Sequence, residues 1–322
     1  MPRPVRPRRC RHVPNCPLVA VLAARCRRIP GTHVSYETCV SRYRYARTGN
    51  GEHAISLRKV LTPPVHTVAH TLPLPSPMIV TFLGTKGGTG TTTLAVNCAA
   101  DLRRLSNRPT LIADVKAGPG DVAVFLGLRP RYNIVDLIDQ LGWTDRALAV
   151  RFTAEHDCGL HVLAASDGFG RPASRDAEPV EQTLRAYSSL YDFVVVDAGS
   201  TFNACAAAAL TISDVVMLVA NPDVPCLRNL QRYGDALRLA GVAPERVRIV
   251  LNRTSENGVL PVGQIEKVLS RTIDYQVPSD YRTVAAAVNT GVPVSCLRTT
   301  ELHTQITAMA RALTGSKLAA SA

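Results

Sequence analysis

Aromatic residues are scarce: Phe, Trp and Tyr make up 5% of the 322 residues. An aromatic-rich β-sandwich interior is therefore not expected. Alanine, valine and leucine dominate the apolar set, which suits an α/β interior better. No apolar run reaches the about 18 residues that a membrane-crossing helix needs. The nine cysteines are scattered and form no C-x-x-C pair, so the usual spacing of a structural zinc site is missing. Their odd number, with several inside apolar runs, reads as reduced thiols and a cytoplasmic location.

Acidic residues are nearly absent from the first quarter. Residues 1–77 hold 2 Asp and Glu against 13 Lys and Arg, whereas 78–322 hold 23 against 24. The formal net charge of +12 thus belongs almost wholly to the first segment. The near-neutral remainder gives little electrostatic reason to bind nucleic acid. The first segment also lacks a sustained period of 2 or 3.6, and it ends in a proline-punctuated stretch, Thr62 to Pro77. It is expected to be a disordered basic leader, or a stretch upstream of a true start at Met78. A nucleic-acid-binding arm is the rival reading, and it shows no motif. Pro17 to Ala24, after arginines, has the form of a short signal-peptide core.

From Met78 onward, short runs rich in Val, Ile and Leu alternate with helix-like stretches. Strands are expected at 78–83, 110–113, 160–164, 193–197, 215–220, 247–251 and 273–276. Helices are expected at 94–105, 134–141, 180–190, 204–211, 227–239, 262–269, 283–290 and 301–313. Alternation of this kind predicts a mostly parallel sheet covered by helices on both faces, the three-layer α/β class. In the last helix Leu302, Ile306, Met309 and Leu313 fall at helical spacing. A membrane-surface stripe would need more cations than Arg311 and His303, so core packing is the expectation and membrane contact would be peripheral at most.

The first strand runs into a glycine-rich turn, K-G-G-T-G-T-T-T, from Lys86 to Thr93. Strand, glycine turn and helix together form a cradle for nucleotide phosphates. Gly87, Gly88 and Gly90 let backbone N–H groups approach a phosphate, and Thr89, Thr91, Thr92 and Thr93 add hydroxyls. The usual pattern would place lysine at 91, where this chain has Thr91. Its lysine stands five residues earlier, at Lys86. Other readings of the same turn are an ordinary strand–helix connection and a dinucleotide loop, the latter lacking its third glycine at Thr93.

Two strands end in aspartate, at Asp114 and Asp197. An acid at the carboxyl end of a buried parallel strand points into the crevice where such sheets bind ligands, and it could hold Mg²⁺. Thr92 stands where the loop hydroxyl would also meet Mg²⁺.

With these pieces the sequence resembles the ParA/MinD group of P-loop ATPases with a deviant Walker A motif, and within it the CpaE/TadZ pilus-assembly branch. The resemblance rests on F-L-G-T-K-G-G-T-G-T-T-T-L-A-V-N (82–97), D-V-K-A-G-P-G-D-V-A-V-F-L-G-L (114–128), Y-D-F-V-V-V-D (191–197) and D-V-V-M-L-V-A-N-P-D (214–223). It continues through L-N-R (251–253), V-P-S-D (277–280) and A-A-A-V-N-T-G-V-P (285–293). It implies a P-loop NTPase fold over 78–322, ATP and Mg²⁺ as cofactors, and an ATP-dependent homodimer. Lys86 would reach the phosphates held by the second chain. Asp114 would be the first acid of the switch I segment, with a catalytic role. Thr92 and Asp197 would hold the metal, and Asn252, Pro278 and Asp280 would line the adenine pocket.

The chain departs from the group at Lys116, which replaces a second switch I aspartate, as well as at Thr91. Both changes predict slow or absent hydrolysis. The branch also carries a receiver-like domain in front, for which 1–77 is too short. The expected role is a positional or assembly factor for a pilus or secretion apparatus, with protein partners there. A partition or division-site ATPase and a nucleotide-free scaffold are the alternatives. A cytoplasmic location fits best, because an exported protein would lack ATP.

Overall fold

Short runs of Val, Ile and Leu form the strands because both faces of the sheet are covered. In this computed structural model, residues 76–116, 118–140, 146–167, 177–255, 258, 260–297 and 299–319 are described. The described residues belong to one unit, His70–Ala322. The expected basic leader lies outside the described residues, apart from its last two positions.

The strands are β1 (Met78–Gly84), β2 (Thr110–Asp114), β3 (Ala154–Glu155), β4 (His161–Leu163), β5 (Phe193–Asp197), β6 (Val215–Ala220), β7 (Val247–Thr254) and β8 (Tyr275–Pro278). They form one sheet in the order β3-β4-β2-β5-β1-β6-β7-β8. Every pairing is parallel except β3 with β4. All seven expected strands are present; β3, two residues at the sheet edge, was not expected.

The helices are α1 (Thr91–Ser106), α2 (Val122–Phe125), α3 (Ile134–Gln140), α4 (Arg146–Arg151), α5 (Ala177–Ser188), α6 (Ala204–Ile212), α7 (Val224–Leu239), α8 (Val262–Leu269), α9 (Tyr281–Thr290) and α10 (Glu301–Ala319). The eight expected helices are among them. The short α2 and α4 were not foreseen, since four to six residues are too few to show a period.

Alternation along each strand feeds two cores. On β5, Phe193 and Val195 pack on one face with Leu94, Leu102, Leu302 and Met309. Val194 and Val196 pack on the other with Leu137, Leu184, Leu210 and Leu230. The mostly parallel, three-layer arrangement is thus the one expected. Leu302, Ile306, Met309 and Leu313 of α10 are all buried, so its apolar stripe is core. No helix among the described residues is long and apolar enough to cross a membrane.

Candidate nucleotide site

The turn after β1 is rooted between its two neighbouring strands. Gly84 N–H donates to Gly199 O beyond β5, and Thr85 N–H donates to Val219 O on β6, both at 2.8 Å. Gly87 and Gly88 form an exposed crest. Gly90 takes φ 89° and serves as the N-cap of α1. No side chain caps that helix, and no acid stands in its first turn. Its first N–H groups therefore lack helical partners, and the positive end of the helix dipole meets the turn, which favours an anion there.

The threonines stiffen this turn from inside. Thr89 Oγ1 donates to Lys86 O at 3.0 Å and lies 3.1 Å from Thr91 Oγ1. Thr91 is 6% exposed, so its side chain packs into the base of the turn and its backbone N–H is what it offers a phosphate. Thr93 O accepts from Asn97 Nδ2 at 2.8 Å, inside α1. Asn252 Nδ2 donates to Thr89 O at 2.7 Å, and a Cβ at Gly90 would collide with that amide. The resemblance implied an adenine contact for Asn252; in this structure it braces the turn. Pro278 ends β8, and Asp280 caps α9 by accepting Thr283 N–H at 3.1 Å. Both stand at the end of the sheet where Asn252 lies.

Thr92 joins the turn to β5. Its hydroxyl donates to Asp197 Oδ2 at 2.6 Å, while Asp197 Oδ1 accepts Gly199 N–H at 3.0 Å. Asp197 is in register with Asp114 on the adjacent β2, and both are fully buried. Asp114 Oδ1 accepts Lys116 N–H at 3.2 Å, and Oδ2 accepts Asp121 and Val122 N–H at 3.0 and 3.2 Å. Burial and the Asp197 charge push the Asp114 carboxyl up to about 7, against the pull of Lys116 and the backbone donors. Asp114, expected as a catalytic acid, accepts backbone N–H groups of the loop into α2 with both oxygens.

That loop delivers Lys116. Its ammonium lies 2.7 Å from Asp121 Oδ2 and 3.6 Å from Asp197 Oδ2, the oxygen that also accepts the Thr92 hydroxyl. The stem crosses Gly199, where a Cβ would stand 2.8 Å from Lys116 Cγ. Burial works against the Lys116 charge, but Asp197, Asp114 and Asp121 outweigh it and hold the group above the ordinary lysine value.

Lys86 goes elsewhere. It pairs with Asp223 Oδ2 at 2.8 Å, and Asp223 Oδ1 caps α7 by accepting Cys226 N–H at 2.9 Å. The Asp223 hydrogen bond raises Lys86 above its usual value. Asn229 Nδ2 adds a further tie, donating to Thr85 O at 2.7 Å. Asp223, Asn229, Asp121 and Gly199 were not foreseen as parts of the site. Only Asp223 carried a local signal, an acid ahead of Pro225 at a helix start.

No protein-family model matches the chain. The septum site-determining protein MinD of Thermotoga maritima is 23% identical over 246 residues, covering 74% of this chain and 88% of that protein. The ParA family ATPase of Chlorobium tepidum TLS matches with TM-score 0.67 and 22% identity, over 74% of this chain and 99% of its own. MinD of Pyrococcus horikoshii OT3, complexed with Mg-ADP, gives 0.64 and 21% over 75% and 98%.

The chain has the ParA/MinD P-loop fold. A ParA/MinD fold implies a magnesium ion beside the nucleotide, and the chemistry of the donors can be tested against that. The Thr92 hydroxyl and Asp197 carboxylate are hard oxygen ligands of the right kind. The Lys116 ammonium, however, already faces the same carboxylate oxygen. A dication taking that oxygen would meet the like charge of the ammonium at close range. As arranged, the residues fit a nucleotide phosphate and do not fit Mg²⁺ alongside Lys116.

Proposed function

We propose that this chain is a ParA/MinD-type ATP-binding protein. It forms a homodimer on ATP and acts in the cytoplasm as an assembly or localisation factor for a pilus or secretion apparatus. The nucleotide reading is carried by one observation: the glycine turn is rooted on β5 and β6 and joined to the strand-end acid through the Thr92–Asp197 hydrogen bond. Backbone N–H groups at the start of α1 would take the phosphates, and the strand ends bearing Asn252, Pro278 and Asp280 would hold the base. Thr92 and Asp197, the residues expected to hold Mg²⁺, face the Lys116 ammonium instead. Hydrolysis is slow or absent, because Thr91 brings no charge and Lys116 stands where an acid would help orient water.

The pilus role is supported by Thr91, a replacement of the loop lysine that the resembled CpaE/TadZ branch tolerates. Protein partners, rather than nucleic acid, suit a body whose charges nearly balance over 78–322. The test is calorimetric titration of the full chain with ATP. Saturable binding supports the reading, and no detectable binding with or without Mg²⁺ sinks it, leaving a nucleotide-free scaffold.

A division-site or partition ATPase is the second reading, favoured by the MinD relative and the ParA structure that the chain matches. Turnover well above background, with salt-dependent DNA binding or lipid binding, would select it.

A further inference from the structure

We infer that Lys116 is a tethered replacement for the divalent cation, so that this protein binds ATP without Mg²⁺. The inference rests on the ATP reading above and concerns the charge that neutralises the bound phosphates.

Three features converge on it. The first is position. The Lys116 ammonium and the Thr92 hydroxyl meet at one atom, Asp197 Oδ2, at 3.6 and 2.6 Å. A cation bridging the first turn of α1 and the acid of β5 would occupy that corner, and here a side chain of the same molecule fills it.

The second is construction. Lys116 follows Asp114 by two residues, and Asp114 fixes its backbone by accepting the Lys116, Asp121 and Val122 N–H groups. Gly199 leaves the space through which the lysine stem runs, and it sits at φ 68°, which favours glycine independently of that space. Asp121 holds the ammonium from its outer side at 2.7 Å. A solvated loop lysine would need none of this support, and the Lys116 side chain is 16% exposed.

The third is charge balance. The turn has lost its own lysine at Thr91, and Lys86 points to Asp223 and, on the proposed function, serves the phosphates of a second chain. A polyphosphate at the start of α1 therefore needs a cation from another element, and Lys116 is the lysine already at the strand-end acid. The ammonium already faces Asp197 Oδ2, the oxygen that a dication at this corner would take. Lys116 thus answers for both departures of the sequence, supplying the charge that Thr91 lacks and displacing the metal.

The experiment is titration of the full chain with ATP, once in excess EDTA and once in excess Mg²⁺, for the native protein and for Lys116→Met and Lys116→Arg. Methionine keeps an apolar stem over Gly199 and removes the charge. The native affinities are expected to agree within about tenfold between EDTA and Mg²⁺. Lys116→Met should lose at least about tenfold in EDTA and regain part of it in Mg²⁺, and Lys116→Arg should stay nearer to the native protein. Thermal unfolding without nucleotide checks that each variant is folded. Should Lys116→Met fail that check, the native comparison still decides. Native binding that requires Mg²⁺, or a folded Lys116→Met indistinguishable from native in EDTA, overturns the inference and leaves the ATP reading standing. Native protein that binds ATP in neither condition overturns both.

Discussion

The Lys86 ammonium lies 2.8 Å from the Asp223 carboxylate, tying the turn before α1 to the first residue of α7's cap. Side-chain exposures of 39% and 35% leave this pair open to water. Exposed pairs of that kind contribute little, so Lys86 can leave Asp223 for a phosphate on a second chain at small cost. On the proposed function, Lys86→Ala should abolish an ATP-dependent dimer while leaving the monomer folded. Asp223→Asn, which keeps a capping side chain on α7, should leave the dimer intact. Sedimentation with and without ATP decides. A Lys86→Ala dimer as stable as native would remove the cross-chain role.

Gly90 is the position where the turn tolerates least change. Its φ of 89° strains any residue with a Cβ, and the added carbon would meet the Asn252 amide. Gly90→Val should cost roughly 1–3 kcal/mol of stability from the backbone alone. It should also abolish the rise in melting temperature that ATP gives the native protein. Truncating Asn252 as well removes the clash but not the backbone strain, so the double variant should recover some stability and no ATP response. An ATP response in Gly90→Val would mean that nucleotide binds away from this turn.

The sheet was legible because parallel strands covered on both faces are continuous apolar runs, such as Phe193–Val196, and no helix period competes over so few residues. β3 escaped because Ala154 and Glu155 are two residues on the edge, held only by antiparallel pairing with β4. The site was legible in its residue types but not in its directions. Thr92 and Asp197 were paired from their places after two strands, and the structure puts a hydrogen bond between them. The course of Lys116 depends on an absent Cβ at Gly199, 83 positions away, and Lys86 finds Asp223 across 137 residues. No local pattern encodes either contact.

α10 settles against α1 through both polar and apolar contacts. Asp101 is fully buried in α1, accepting Thr307 Oγ1 at 2.6 Å and Arg104 Nε at 3.1 Å. Met309 of α10 is fully buried in the core. Met309→Ala should destabilise the fold by about 2–5 kcal/mol, the cost of lost apolar contact plus a cavity. Denaturant titration measures it. A loss under about 0.5 kcal/mol would mean that α10 is not part of the core.

His161 gives the protein an acid-side weakness. It sits on β4 with Nδ1 3.0 Å from Tyr191 Oη and 3.2 Å from Thr153 Oγ1. The Thr153 hydroxyl donates to Val150 O at 2.8 Å, and burial raises Tyr191, so the phenol keeps its proton. The protonated phenol can donate to Nδ1 or accept from it, according to the imidazole tautomer. Burial lowers His161 from its ordinary 6.5, Glu155 on β3 pulls it back, and Arg103 on α1 adds to the lowering. A histidine lowered on folding binds its proton more readily in the unfolded chain. Its stabilising share is complete above about pH 6.5 and is lost as pH falls through the lower folded value. The urea midpoint should therefore fall on acidification below that point, and His161→Gln should flatten part of the slope. An identical slope in His161→Gln would assign the acid sensitivity to another group.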